Sequence, residues 1–107
     1  MAEQEFQFAT IEQARNAAIK WLEDRSVSFG PHRKIELGRI GVLAGKEVGV
    51  SAIDDPFWRI RLDYDPGKQA HFNVEYGKGL TRQKAAFCFI GSEDLIAALG
   101  KSRNPRA

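Results

Sequence analysis

The sequence predicts an α+β fold: an N-terminal helix, a three- to four-stranded antiparallel sheet and a short C-terminal helix. Helical spacing of apolar residues near the N-terminus predicts the first part. Strict two-residue alternation in three successive segments after residue 54 predicts the second. With 107 residues, the chain has room for one domain, residues 1–107, and for no second core.

Thr10 followed by Gln13 fits a capping box, in which each side chain satisfies the other's free backbone N–H. Ala14, Ala17, Ala18, Trp21 and Leu22 then recur on one face, which predicts an amphipathic helix over Ile11–Arg25. Residues 26–47 are broken by Gly30-Pro31, Gly38, Gly41 and Gly45. They fit either short strands, around Ile35–Leu37 and Val48–Ile53, or a long loop. Asp54-Asp55-Pro56 is turn chemistry. Trp58, Ile60, Leu62 and Tyr64 then alternate with Phe57, Arg59, Arg61 and Asp63, the period of a half-buried strand. After the turn Asp65–Lys68, Ala70, Phe72, Val74 and Tyr76 alternate with His71, Asn73 and Glu75. Beyond the loop Gly77–Gln83, Ala85, Phe87 and Phe89 alternate with Lys84, Ala86 and Cys88. Ser92 fits the cap of a last helix that carries Leu95, Ile96 and Leu99 and stops at Gly100. Residues 1–9 and 101–107 read as flexible ends.

Composition excludes some classes. Hydrophobic residues make up 43% of the chain, too many for a disordered protein. Cys88 is the only cysteine, so no intrachain disulfide forms, which suits a reducing compartment such as the cytoplasm. Met1–Phe8 has no apolar core and is not a signal peptide, and no run approaches the length of a membrane span. If the domain crosses a membrane, other machinery must carry it. Charge is unevenly spread: residues 1–24 hold five acidic residues against two basic, residues 56–107 nine basic against five acidic. That bias points to an anionic partner for the second half.

Register follows from matching faces, because core residues must sit opposite core residues. Placing Tyr64 opposite Ala70 puts Asp63 across from His71, Arg61 from Asn73 and Arg59 from Glu75. The result is a polar face carrying His71, Asn73 and Glu75 flanked by Arg59 and Arg61, with Lys78, Arg82 and Lys84 close by. RNA cleavage without a metal or other cofactor uses these residue types. One group takes the 2′-OH proton and another protonates the leaving 5′-oxygen, tasks for His71 and Glu75. Arg59 and Arg61 would stabilise the charge gathering on phosphate, leaving a 2′,3′-cyclic phosphate. Asn73, Lys78, Lys84, Lys46 and Arg82 are the candidate substrate-binding residues.

The rival reading is a non-catalytic module that binds nucleic acid or an acidic protein through the same basic face. An antiparallel sheet commonly leaves one face solvated, and cross-strand ion pairs need no catalytic reason. A binder of single strands normally interleaves aromatics with its cations, and Phe57 alone fits that role. His32 and His71 lack metal-ligand spacing, and Cys88 in an apolar strand reads as a buried thiol.

Arg59-Ile60-Arg61-Leu62-Asp63-Tyr64 followed by Ala70-His71-Phe72-Asn73-Val74 resembles the C-terminal toxin domains of bacterial polymorphic toxins, of the Rhs and contact-dependent inhibition types. Gly77-Lys78, Phe87-Cys88-Phe89, Gly91-Ser92-Glu93, the Trp21-Leu22 helix and Gly45-Lys46 extend the likeness over roughly residues 12–100. The stretch Gly79–Gln83 is longer than the loop usual in those domains. The resemblance implies a ribonuclease of the barnase–EndoU–colicin–RelE-like class, with RNA, often tRNA, as substrate and a cognate immunity protein as partner. It favours His71 first, then Asn73, Lys78 and Lys46. It further implies action in the cytoplasm of a target cell. The chain itself is expected to be a monomer.

Overall fold

Sheet structure dominates the chain. The computed structural model describes residues 3–30, 33–37, 46–65, 69–91 and 101–102. The strands are β1 (Gln4–Phe8), β2 (Arg33–Leu37), β3 (Lys46–Ala52), β4 (Trp58–Asp65), β5 (Gln69–Tyr76), β6 (Gln83–Phe89) and the two-residue β7 (Lys101–Ser102). One helix, α1 (Ile11–Glu23), stands among the described residues. The spatial order is β1-β6-β5-β4-β3-β2, with β7 pairing to the start of β3.

This corrects the expected architecture. A six-strand mixed sheet with one parallel pair replaces the three- to four-stranded antiparallel one, and the sheet outweighs the helical part. Residues 4–8, expected to be a flexible lead, form β1 and run parallel to β6 with Phe6 opposite Phe87 and Phe8 opposite Phe89. The Phe6 and Phe87 rings stack at 5.2 Å. Lys101–Ser102, expected to begin a solvated tail, pair with β3. A five-residue strand whose partner lies some eighty positions away carries too little local signal to be read alone. The expected C-terminal helix over 92–100 lies outside the described residues.

Helix α1 starts where the capping box places it. The Thr10 hydroxyl accepts from the Gln13 N–H at 3.2 Å, and the Gln13 carboxamide oxygen accepts from the Thr10 N–H at 3.3 Å. The helix ends earlier than Arg25 because Ser26 turns into the left-handed region, φ 66°, and the Val27 N–H closes back on the Leu22 carbonyl. Arg25 pins this end: its guanidinium lies 3.5 Å over the Trp21 ring and its Nε donates to Gln83 Oε1 at 2.8 Å.

Ala14, Ala18, Trp21 and Leu22 face the sheet and are buried against Ile60, Leu62, Phe72, Val74, Phe87 and Phe89. Each large side chain so buried contributes roughly 1.5–3 kcal/mol. Two alanines on the contact face let the helix lie close to β6 and β5. Strands β2 and β3 continue the sheet beyond the helix. There a groove of about 650 Å³ opens, floored by Val48, Val50 and Ile60 and rimmed by Arg15 and Arg33.

Gly49 is needed where β3 meets β4. A Cβ at Gly49 would stand 1.9 Å from the Ile60 carbonyl oxygen, closer than any side chain tolerates.

Candidate functional site

The face opposite α1 takes the alternate residue of every strand, so its composition follows from the pleat. The central hairpin has the register derived from face matching: Arg59 opposite Glu75, Arg61 opposite Asn73, Asp63 opposite His71. Strand β6 adds Lys84 beside Glu75, Ala86 beside Asn73 and Cys88 beside His71. Strand β3 adds Ser51 beside Arg59 and Gly49 beside Arg61, and β2 brings Lys34 and Glu36 to those two positions. Three cross-strand rows result: Lys34–Ser51–Arg59–Glu75–Lys84, then Glu36–Gly49–Arg61–Asn73–Ala86, then Asp63–His71–Cys88.

Two polar clusters stand on this face. In the first, Arg59 lies between two carboxylates. Its Nη2 donates to Glu75 Oε1 at 2.9 Å, and its Nη1 stands 3.7 Å from Glu36 Oε1. The buried Ser51 hydroxyl donates to Glu36 Oε2 at 2.7 Å, and Lys84 Nζ lies 3.7 Å from Glu75. The second cluster centres on Asp63, which accepts from Arg61 Nη2 at 3.2 Å, from Asn73 Nδ2 at 3.3 Å and from the Tyr64 N–H at 2.9 Å. His71 is its cross-strand neighbour and is 2% exposed; Cys88 beyond it is 1% exposed.

Arg59 and Arg61 are both largely buried, and the Nε–H of each finds no acceptor among the described residues. A buried donor left unpaired costs about 1–3 kcal/mol. Two such donors, two residues apart on β4, set this patch apart from a merely solvated face.

The structure thus brings together Arg59, Glu75 and Lys84 in one cluster and Arg61 and Asn73 in the other, with His71 next to the second. It does not bring His71 to Glu75: four residues of β5 separate them by roughly 13 Å. Lys78 stands elsewhere, 3.8 Å from Asp55 and 5.7 Å from the centre of the Phe57 ring. Arg82 lines a small concavity with Lys84, Gly79 and Leu80 at the 3₁₀ turn Gly79–Thr81. Lys46 begins β3, at the opposite end of that strand from Ser51.

Glu36 and Ser51 complete the first cluster and are not among the residues the sequence singles out, and Asp63 receives only a register position there. The signal for Glu36 was its alternation with Ile35 and Leu37, too short to place β2 in the sheet. Of the four cations on this face among the described residues, Arg59, Arg61 and Lys84 each stand beside a carboxylate, so the patch is balanced rather than strongly basic.

Among the described residues no group of three His, Cys, Asp or Glu side chains is placed to hold a metal ion. No helix among them is long and apolar enough to cross a membrane. No protein-family model, no curated protein and no solved structure matches the chain.

Proposed function

We propose that the chain is a metal-independent ribonuclease domain, acting in the cytoplasm of a target cell, whose site is the Arg61–Asp63–His71–Asn73 cluster with Arg59 alongside. The observation that carries this reading is the pair of neighbouring, largely buried arginines, each with an Nε–H donor left over, on the same face as His71 and its cross-strand carboxylate Asp63. In this reading His71 takes the 2′-OH proton as the 2′-oxygen bonds to phosphorus. The bond to the 5′-oxygen breaks and that oxygen is protonated from water. Arg59 and Arg61 hold the charge that builds on the phosphate oxygens. Asp63 orients His71, and Asn73 and Lys84 bind along the strand. Glu75 lies too far from His71 to share one phosphate with it and serves instead to position Arg59. The family resemblance of the hairpin adds a cognate immunity protein as partner.

A second reading is favoured by the 2% exposure of His71 and by the carboxylate beside each of Arg59, Arg61 and Lys84. It makes the same face a non-catalytic docking surface for nucleic acid or an acidic protein. Incubation of the folded protein with total bacterial RNA in EDTA, read on a denaturing gel, separates the two. The nuclease reading expects fragments ending in 2′,3′-cyclic phosphate, with His71→Gln slowing cleavage on the order of 10²–10⁴-fold. RNA retarded on a native gel but never cut supports the docking surface and overturns the nuclease. RNA neither cut nor bound overturns both for this substrate.

A further inference from the structure

We propose that the free edge of β2 pairs with β2 of a second copy of this chain, giving a two-fold dimer with one continuous sheet. Strand β2 ends the sheet order, and no described strand pairs with its outer edge. A free edge offers a row of backbone donors and acceptors to any passing strand, and proteins normally guard it. Here the edge sequence Arg33-Lys34-Ile35-Glu36-Leu37 is complementary to itself when read antiparallel.

The register is decided by charge and by face. Lys34 and Glu36 lie on the polar face, whereas Ile35, at 48% exposed, helps line the apolar groove on the helix side. Opposed residues of an antiparallel pair share a face, so a one-residue slip would set Lys34 against Ile35 and is excluded. Of the registers that keep the faces matched, one short step sets Lys34 against Lys34 of the partner subunit, and the opposite step sets Glu36 against Glu36 of the partner subunit. Like charges directly opposed are destabilising. Centring the two-fold axis on Ile35 removes both conflicts. Lys34 then faces Glu36 of the partner subunit, the reciprocal pair repeats it, and Ile35 covers Ile35 of the partner subunit. Leu37 faces Arg33 of the partner subunit, whose aliphatic stem covers it.

The other sheet edge has no such property. Strand β1 reads Gln4-Glu5-Phe6-Gln7-Phe8, and centred on Phe6 it sets Glu5 against a glutamine, with no cation to answer it. The alternating charges of β2 would disfavour an unrelated strand while accepting the chain's own. The dimer also brings Lys34 of the partner subunit to Glu36, and so to the Ser51–Arg59 cluster. The inference rests on the β2 edge alone and stands or falls apart from the chemistry proposed for the polar face. It replaces the monomer expected from the sequence.

Sedimentation velocity over about 10 µM to 1 mM of the full chain should show concentration-dependent dimerisation, as a small interface implies. Ile35→Lys should abolish it, and Lys34→Glu should weaken it about tenfold or more. Both positions are exposed, so the melting curve should hardly move. Geometry is checked by Ile35→Cys. An antiparallel pair holds opposed Cα atoms about 4.5–5.5 Å apart, within disulfide reach. Mild oxidation should therefore link Ile35→Cys into a dimer much faster than Leu80→Cys, whose side chain is exposed on a remote turn. A chain that stays monomeric at about 1 mM overturns the proposal. So does a dimer indifferent to Ile35→Lys, which would place the contact at β1 or at the groove, and so does equal cross-linking of the two cysteine variants.

Discussion

Ile60, Leu62, Phe72 and Val74 on one side of the sheet and Arg59, Arg61, His71 and Glu75 on the other come from the same two strands, one residue apart. The first set is stabilised by removal of apolar surface from water, which is non-directional and tolerates small shifts. The second depends on donors meeting acceptors within a few tenths of an ångström, and two arginine donors find no acceptor among the described residues. The apolar face therefore decides whether the chain folds. The polar face spends part of that stability on an arrangement that burial alone would never select.

The comparison breaks first on the apolar side. Phe87 is buried and stacks on Phe6 and Phe8 across the parallel pair. Phe87→Ala should cost about 3–5 kcal/mol and lower the thermal midpoint by tens of degrees, measured by circular dichroism. Gly49→Ala should cost about 1–3 kcal/mol or more, because β3 and β4 must part to admit a methyl group against the Ile60 carbonyl. Chemical denaturation at 25 °C checks it, and an unchanged midpoint would disprove the close approach.

On the polar side, Arg59→Met should cost about 1–3 kcal/mol, since Glu36 and Glu75 lose the cation between them. Adding Glu75→Leu to that variant should recover part of the loss, and strict additivity in a double-mutant cycle would mean the pair is not coupled. Thr10→Ala removes one half of the capping box and should cost about 1 kcal/mol. Lys20→Ala sharpens the contrast at the low end. Its exposed pair with Asp24 at 3.2 Å should contribute no more than about 0.5 kcal/mol, and less in high salt.

Much of the candidate site was legible in the sequence for one reason. The β4–β5 hairpin is local, its faces alternate cleanly, and only one parity of register keeps core opposite core, so Arg59–Glu75 and Asp63–His71 could be paired on paper. Glu36 and Ser51 could not be added to them. Their strands sit in or next to the glycine-broken stretch, and Glu36 reaches Arg59 only because β3 pairs with both β2 and β4. The distance that separates His71 from Glu75 was also available from strand geometry, yet assigning both to one phosphate required ignoring it.

By itself the sequence determined the start of α1, through Thr10 and Gln13, the alternation of β4, β5 and β6, and the faces on which their side chains stand. Those are consequences of local spacing and of the two periods a chain can adopt. Only the tertiary structure decided that β1 joins β6 in parallel, that β2 and β3 extend the sheet past the helix, and that β2 ends the order of the described strands. Strand pairing between distant segments is settled by which free edges and apolar faces remain once the local elements have formed, and that competition is not written in any one stretch of residues.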